Sequence, residues 1–600
     1  MPSKTLLPPA KDVEEGPYDL KTLDAPVMRG VKLKLFVTLA VESPLFALVK
    51  RALFKKSGLP QVLNDVDIPE LPKFFPEPLF PQGEYQATPT LAPTSTPKEK
   101  LNFALKSVTS DFFTPSGPLA TTPRPTVRVY HKAYKEGLST PTQVANNIIK
   151  FLKDRDLHWL IAYDEKDILL QAEAATKRYS EGQPLSVLDG VPFAVKDTVD
   201  AAPYRTTCGT AYYGTWREPG KEFQIVTSLK SLGAVLLGKT NMNEIGLGVT
   251  GINTVHGTPV NPWAEGHCCG GSSSGSGAVV GSGLCPIAIA SDGGGSLRVP
   301  SSFCGAVTLM ASRGRLSHEG TCALDFTVAE YGPVAGCVDD AMITYSLLCD
   351  VPSTPPIALP ERPPAGPQNG KPLRGLTMGI YWQWFNDANS SVVEVCTRAV
   401  RLLEELGVSL KAINIPDLEL LRVAHTCTIA SEMAQAFNRA YNGRKWRSRM
   451  NNDIRVSLGI ARAFTAKDYV QAQRIRGRMM VHFKRVLSDV DFLVTPTVPI
   501  TAPPVHPTAL KTNESNVKLT STIMRFMAAA NFLGLPAMSL PVGHDEKHLP
   551  IGLQLMGKHW SEATLFKAAN ALEMSLKSGG ASQGLRPEFL SLGTNPLAGL

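Results

Sequence analysis

Short apolar runs bounded by glycine or proline recur through the chain from about residue 190 onward, and helical patterns alternate with them. Each run has the length and composition of a covered strand. The runs span residues 191–195, 234–237, 287–290, 492–494 and 537–540. The helical patterns span residues 223–232, 392–406, 432–441, 466–487, 521–533 and 562–576. This alternation predicts an α/β fold built on a largely covered sheet.

Two further helices are predicted ahead of the first strand. Ser139 and Thr140 offer hydroxyl caps, Pro141 suits a first helical turn, and apolar residues then recur at helical spacing as far as Leu152. Residues 167–179 form the second helical pattern. Regular structure therefore resumes near residue 127.

Residues 1–127 differ in character from the rest of the chain. The apolar stretch 35–49 is interrupted by polar residues and proline at 42–44, and it is shorter than the roughly 20 residues that a membrane span needs. Lysines flank it, which suits a membrane interface or a substrate entrance; packing on the protein's own core and a dimer contact are the alternatives. Prolines dominate residues 69–97, which predicts an extended strap over the surface. A second proline-dense segment, 352–372, is typical of a loop or linker.

Composition narrows the classes of function. The chain has 600 residues, 43% hydrophobic and 19% charged, as in an ordinary globular protein. Its net charge of +8 is small for this length, and no basic run is interleaved with aromatic residues, so nucleic acid is not an expected partner. The ten cysteines lack zinc-site spacing, which predicts reduced, partly buried thiols in an intracellular protein. No secretory signal is predicted, because prolines and acidic residues precede any apolar stretch.

Glycine and serine are concentrated between residues 270 and 302. A flexible linker is a poor interpretation, because apolar runs interrupt the segment. A phosphate-binding loop is also disfavoured: Gly233 to Thr240 matches its literal pattern, but the four residues after Gly233 are Ala-Val-Leu-Leu, which is typical of a strand interior. A nucleophile elbow centred on Ser273 lacks the strand that should precede it.

The remaining interpretation gives two serines and a lysine a joint role. Lys196 ends an apolar run, Ser272 follows 76 residues later, and Ser296 a further 24 residues on. Serine needs a base at neutral pH, and lysine can be that base only where burial keeps it neutral. We expect Lys196, Ser272 and Ser296 to be catalytic, with Ser272 passing a proton between the other two. The predicted chemistry is acyl transfer, most directly amide hydrolysis, and it needs no metal or organic cofactor.

Glycines before the second serine suit an oxyanion hole, because successive amides without side chains can point at one spot. The predicted donors are the backbone amides of Gly293, Gly294, Gly295 and Ser296. Asp292 and Arg298 flank this turn and are expected to brace it, and Ser273 is expected to support the site.

At this point the sequence resembles the amidase signature family, over about residues 130–580. The motifs that carry the resemblance are Gly270-Gly271-Ser272-Ser273-Ser274-Gly275-Ser276, Asp292-Gly293-Gly294-Gly295-Ser296-Leu297-Arg298-Val299-Pro300 and Leu188-Asp189-Gly190-Val191-Pro192 leading to Lys196. Within that family the chain is most similar to the plant members that hydrolyse fatty acid amides. The resemblance implies a large mixed central sheet covered by helices on both faces, with a helical and extended N-terminal extension. The implied boundaries are 1–127 for the extension, 128–585 for the catalytic domain and 586–600 for a tail.

The resemblance also implies a reaction. N-acylethanolamines would be cleaved through an acyl-enzyme on Ser296, with Ser272 beside a cis peptide and Lys196 acting as base and then as acid. It implies a homodimer with peripheral or monotopic association with the endoplasmic reticulum or the plasma membrane. The alternatives are an amidase for a small amide such as indoleacetamide, a subunit of a tRNA-dependent amidotransferase, and an inactive amidase-like scaffold.

Overall fold

Eleven strands form one central sheet in this computed structural model, which describes residues 4–23, 25–46, 49–50, 53–54, 59–80, 89–108, 124–215, 217–218, 220–322, 324–361, 370–578 and 597. Numbered in chain order, the strands of this sheet are β1 (Leu160–Ala162), β2 (Pro192–Lys196), β3 (Val235–Thr240), β4 (Ile287–Asp292), β5 (Val307–Met310), β6 (Glu330–Ala335), β7 (Thr377–Ile380), β8 (Ser409–Ala412), β9 (Phe492–Pro496), β10 (Ala537–His544) and β11 (Pro550–Gly557). All five predicted strands are among them.

The sheet is mixed, and its spatial order is β8-β7-β9-β11-β10-β5-β6-β4-β2-β3-β1. Strand β2 runs parallel to both β3 and β4, and β7 runs parallel to both β8 and β9. The other neighbouring pairs are antiparallel. The parallel trio β4-β2-β3 matters most for function, because the carboxyl ends of its strands meet at one edge.

Helices cover this sheet. Those after residue 90 are Pro97–Ser107, Val127–Lys135, Pro141–Lys153, Glu165–Ser180, Gln224–Ser231, Ser274–Gly281, Arg298–Cys304, Val338–Leu348, Trp382–Phe385, Ser390–Glu405, Leu418–Ala436, Asn438–Asn442, Arg444–Arg447, Asn452–Ala461, Ala466–Asp489, Pro507–Thr512, Val517–Ile523, Ala528–Leu533 and Glu562–Ser578. The predicted start at Thr140 is confirmed: Thr140 and Gln143 form a reciprocal capping box ahead of Pro141.

Two predicted helices differ from the observed ones. The pattern at 432–441 covers the end of Leu418–Ala436 and the start of Asn438–Asn442, which are separated at Phe437 (φ −101°, ψ 12°). The pattern at 521–533 is divided among Val517–Ile523, a 3₁₀ turn at Met524–Phe526 and Ala528–Leu533. In both places apolar spacing continues through a bend in the backbone, so periodicity alone joined separate elements.

The N-terminal extension lies along the core. Its helix Gly30–Leu35 continues into a π-helical turn, Phe36–Val41. Leu33, Val37 and Val41 on its inner face are buried against Val456 of helix Asn452–Ala461. Packing on the protein's own core, one of the alternatives for the stretch 35–49, is therefore present on this face.

Short strands and the proline-rich strap attach the rest of the extension. Thr5–Leu6 pairs with Val66–Asp67, Met28–Arg29 with Glu514–Ser515, and Thr90–Leu91 with Ile357–Ala358. The strap follows helix Ala466–Asp489, where Lys73 N donates to the Gln473 carbonyl (2.9 Å) and the Arg474 and Arg476 guanidinium groups donate to strap carbonyls. Residues 81–88, and all of the predicted tail except Leu597, lie outside the described part.

The burial of the cysteines agrees with the prediction of reduced, buried thiols. All ten cysteines are buried free thiols. Most of the segment from Gly233 to Thr240 forms the buried strand β3, which excludes a phosphate-binding loop there. Among the described residues, no helix combines the length and apolar character needed to cross a bilayer.

Candidate active site

The site lies where the parallel strands β2 and β4 end. Phe193, Ala194 and Val195 of β2 are in register with Ile287, Ala288 and Ile289 of β4. Lys196 is the last residue of β2, and Ser291 and Asp292 are the last residues of β4. Because parallel neighbours end at the same edge, the lysine and the turn that follows Asp292 come together without any long-range adjustment.

Two packed helices bring the two serines to that edge. Ser272 lies two residues before helix Ser274–Gly281, and Ser296 lies two residues before helix Arg298–Cys304. The helices contact each other near their first turns, at Gly277 and Pro300. Both serines are therefore at the same end of the helix pair, beside the end of β4.

The loop that carries Ser272 packs so closely on Asn243 that position 271 has no room for a side chain. The Gly271–Ser272 peptide is cis, as the resemblance implies. A Cβ at Gly271 would overlap Asn243 Oδ1, and Asn243 N donates to the Ser272 carbonyl (3.1 Å). In this position Ser272 Oγ accepts a hydrogen bond of 2.7 Å from Lys196 Nζ, so the predicted lysine–serine pair is formed.

Lys196 has the environment of a neutral base. Its side chain is 1% exposed, and its Nζ also bonds Ser291 Oγ at 3.0 Å. Burial lowers the pKa of Lys196 to about 8, while the nearby Asp325 and Asp292 carboxyl groups oppose this shift. About one-tenth of this lysine is therefore unprotonated at pH 7, far more than for a lysine of ordinary pKa.

The turn that carries Ser296 is fixed by a buried ion pair. Asp292 accepts hydrogen bonds from the backbone amides of Gly295 and Leu297, and Arg298 Nε donates to Asp292 Oδ2 at 3.0 Å. Both side chains are fully buried, and Arg298 Nη1 also donates to Gln554 Oε1 (2.7 Å). Burial favours the neutral acid, but the Arg298 guanidinium outweighs it and lowers the pKa of Asp292 to about 2. Asp292 and Arg298 thus brace the turn.

The backbone amides of this turn differ in whether a protein group accepts a hydrogen bond from them. The Gly295 amide donates to Asp292 within the turn, so it is not free to bind an oxyanion. In this respect the structure differs from the prediction. Among the described residues, no acceptor is found for the amides of Gly293, Gly294 and Ser296. These three amides remain available to an oxyanion. Ser296 is the most accessible catalytic candidate, at 9% exposed compared with 1% for Ser272.

Three residues that the sequence did not single out belong to the site. Ser291 contacts Lys196, as described above. His425 on helix Leu418–Ala436 contacts the Gly293 carbonyl through Nε2 (2.9 Å), and burial lowers its pKa to about 4, so it is a neutral donor that positions the turn. The Asp325 carboxyl group lies against Gly293. Ser273, the predicted supporting residue, donates from Oγ to the Ser291 carbonyl (3.3 Å) and so ties the two loops together.

The chain is similar in sequence and fold to known proteins. The amidase family model matches residues 152–566. The fatty acid amide hydrolases of Arabidopsis thaliana and Medicago truncatula are 38% and 37% identical to the chain, covering 94% and 96% of it and 95% and 97% of their own lengths. A solved amidase structure superposes with a TM-score of 0.66 at 26% identity, covering 75% of this chain and 99% of its own.

The fold, the site and the comparisons together define the protein as an amidohydrolase with a mixed α/β sheet. The chain belongs to the amidase signature family. The predicted family and fold class are confirmed. The domain boundaries stay predictions, although helix Val127–Lys135 begins beside the first of them.

Proposed function

We propose that the protein hydrolyses N-acylethanolamines and related fatty acid amides to a free fatty acid and an amine. Ser296 is the nucleophile, Ser272 relays protons, and Lys196 is the base and then the acid. The observation that carries the proposal is the 2.7 Å hydrogen bond between Lys196 Nζ and Ser272 Oγ, formed at the strand edge where the Ser296 turn begins.

The proton path follows from the protonation states. Neutral Lys196 takes the proton of Ser272 as Ser272 takes that of Ser296, whose Oγ forms a bond to the substrate carbonyl carbon. The protons return by the same route to the leaving nitrogen when the C–N bond breaks, which releases the amine and leaves an ester on Ser296. Water then attacks this ester and loses a proton to Lys196 through Ser272. The bond between the acyl carbon and Ser296 Oγ breaks, the proton returns through Ser272 to Ser296 Oγ, and the fatty acid leaves.

The carbonyl oxygen becomes negatively charged when Ser296 attacks. The free amides of Gly293, Gly294 and Ser296 are held by the Asp292–Arg298 brace and by His425, so they need no reorganisation to stabilise that charge. Such pre-oriented donors are typically worth about 10² to 10³ in rate each.

The lipid part of the proposal is supported by the extent of the similarity. The two plant hydrolases match 94–96% of the chain, which includes the N-terminal extension, whereas the solved amidase matches 75%. Within the extension, Val31, Leu35 and Leu39 are 72%, 51% and 59% exposed, beside Lys32 and Lys34. Exposed apolar groups next to lysines suit the surface of an anionic bilayer, so we propose peripheral membrane association and delivery of the substrate from the membrane. A homodimer is proposed on the resemblance alone.

The acyl-enzyme is the direct test. The enzyme is mixed with a long-chain N-acylethanolamine, quenched in acid within milliseconds to seconds and digested, and the peptide containing Ser296 is weighed by mass spectrometry. We expect a mass increase of one acyl group on this peptide in the wild type and none in Ser296→Ala. A fluorophosphonate label provides the control for a reactive serine. An adduct on another residue, or turnover without any adduct and without labelling, would overturn the proposal.

A further inference from the structure

Asp325 places a carboxyl group against the oxyanion turn. It lies between β5 and β6, immediately after the buried Leu324. A Cβ at Gly293 would overlap Asp325 Oδ2, so this carboxyl group occupies the space that a side chain at position 293 would fill. The first glycine of the turn is therefore needed to admit Asp325, in addition to any role of its amide.

The carboxyl group of Asp325 is left open to a ligand. No residue in the described part of the chain donates a hydrogen bond to it, and it keeps part of its surface accessible. Burial and the nearby Glu432 raise its pKa to about 7, and Lys196 opposes this shift. A partly buried carboxyl group that accepts no hydrogen bond from the protein favours a donor supplied from outside the chain.

Its position relative to Lys196 indicates which part of a substrate it meets. In the proposed path the leaving nitrogen receives its proton through Ser272, whose Oγ accepts from Lys196 Nζ, so the amine side of the substrate faces this pair. Asp325 interacts electrostatically with Lys196 and lies at the first glycine of the turn. Apolar side chains adjoin the other two glycines: Met524 Cε is 3.0 Å from a Cβ built at Gly294, and Met527 Cγ is 2.6 Å from one built at Gly295.

We propose that Asp325 is a specificity-determining residue that binds the polar head group on the amine side of the scissile bond and rejects anionic head groups. A hydroxyl or N–H of the head group donates to the carboxyl oxygen. A carboxylate or sulfonate at the same place meets a like charge in a poorly solvated site. The inference rests on the proposed amide hydrolysis and adds the part of the substrate that is recognised.

The experiment compares three amides of one acyl chain that differ only in the head group. These are the ethanolamide, with a hydroxyl; the n-propylamide, with a methyl in its place; and the N-acylglycine, with a carboxylate. For the wild type at pH 9, where Asp325 is ionised, we expect kcat/KM to fall about tenfold without the hydroxyl and about a hundredfold with the carboxylate. In Asp325→Asn the penalty for the carboxylate should shrink by about tenfold or more, and in Asp325→Ser both penalties should shrink.

A matched control separates recognition from general electrostatics. Glu432→Gln removes another carboxylate that acts on Asp325, but one whose oxygens already accept from Thr327 N (3.0 Å) and Tyr469 Oη (3.1 Å). At pH 9 Asp325 is ionised whether or not Glu432 raises its pKa, so at that pH we expect Glu432→Gln to leave the ratios between the three substrates as in the wild type. Equal scaling of all three values of kcat/KM in both Asp325 variants would overturn the proposal, because the carboxyl group would then act only on Lys196 or on folding.

The ratios are taken at one acyl length, so they are independent of whether long chains are preferred. If the three-substrate set is turned over equally well with a short acyl chain, the lipid part of the proposed function fails while the head-group ratios still decide the role of Asp325. If Ser296→Ala abolishes activity but Asp325→Asn leaves the ratios between the three substrates unchanged, the proposed hydrolase stands and this inference fails.

Discussion

At the scale of single residues, the proposed mechanism makes the rate depend on the protonation of Lys196. Its pKa of about 8 in the folded protein means that about one-tenth of it is neutral at pH 7. Because the neutral form is the base, we expect kcat/KM to rise about tenfold per pH unit below pH 8 and to level off above it. A rate profile from pH 6 to pH 10 on a neutral substrate measures this.

A variant assigns that profile to the lysine. Asp325 and Asp292 are the carboxyl groups whose negative charge favours the protonated lysine. Asp325→Asn removes one of them, so its rising limb should move to lower pH. A profile that is flat between pH 6 and pH 8, or a limb that moves to higher pH in this variant, would contradict the role given to Lys196.

The buried Asp292–Arg298 pair is expected to contribute to stability as well as to the site. Arg298→Ala leaves a buried Asp292 without its partner, which should lower the free energy of unfolding by about 3–5 kcal/mol. Arg398→Ala is the control, because its pair with Glu394 is exposed and worth less than about 1 kcal/mol. Equilibrium unfolding in urea compares the two, and equal losses would contradict the brace.

At the scale of elements, the N-terminal helix has two apolar faces, and each has a separate role. Leu33 and Val37 attach it to the core, whereas Val31, Leu35 and Leu39 point outward. The triple substitution of these three residues by serine should lower partition onto anionic vesicles by at least about tenfold, because each loses part of the roughly 1.5–3 kcal/mol of a buried aliphatic side chain. Co-sedimentation with phosphatidylserine vesicles measures it.

The control replaces exposed leucines elsewhere. Leu170 and Leu185 are 68% and 44% exposed, and serine at both should leave vesicle binding unchanged. Turnover of a short, soluble amide should also be unchanged in the triple variant. If vesicle binding persists in the triple variant, the exposed face has another role, and a change in oligomeric state would assign it to the dimer contact.

The elements show which kinds of structure the sequence can predict. Strand β2, strand β4 and the cap at Thr140 follow from local patterns, since apolar runs and capping residues act over a few positions. The bend at Phe437 and the division of 521–533 do not, because apolar spacing continues across them. Lys196, Ser272 and Ser296 could be predicted, because a lysine and two serines in these sequence contexts are an unusual combination and match the motifs of the family in order.

The rest of the site depends on contacts between distant segments. His425 meets Gly293 across 132 residues, and nothing in its own helix marks it. Asp325 reaches the same glycine from the loop before β6. The Gly295 amide was predicted as a donor to the oxyanion, but the direction in which an amide points is set by the fold of the turn around Asp292. Such positions become visible only when the chain is folded.

At the scale of the whole molecule, one sheet edge joins three functions. Strands β2 and β4 bring the lysine to the serine turn, Asp325 lies against the first glycine of that turn, and the extension adds an apolar surface on the outside. The short described strands of the extension pair with one another or with the catalytic domain, as Met28–Arg29 does with Glu514–Ser515. The extension is therefore attached to the catalytic domain by backbone pairing as well as by side-chain packing.

The most direct test of a lipid amidase is hydrolysis of an N-acylethanolamine series from short to long acyl chains, with purified wild type beside Ser296→Ala. The account predicts that kcat/KM rises with chain length and that the substitution abolishes turnover of every member. A flat or falling profile that still requires Ser296 would contradict the lipid substrate and indicate a small-amide amidase. No turnover of any member by the wild type would contradict the hydrolysis of N-acylethanolamines itself.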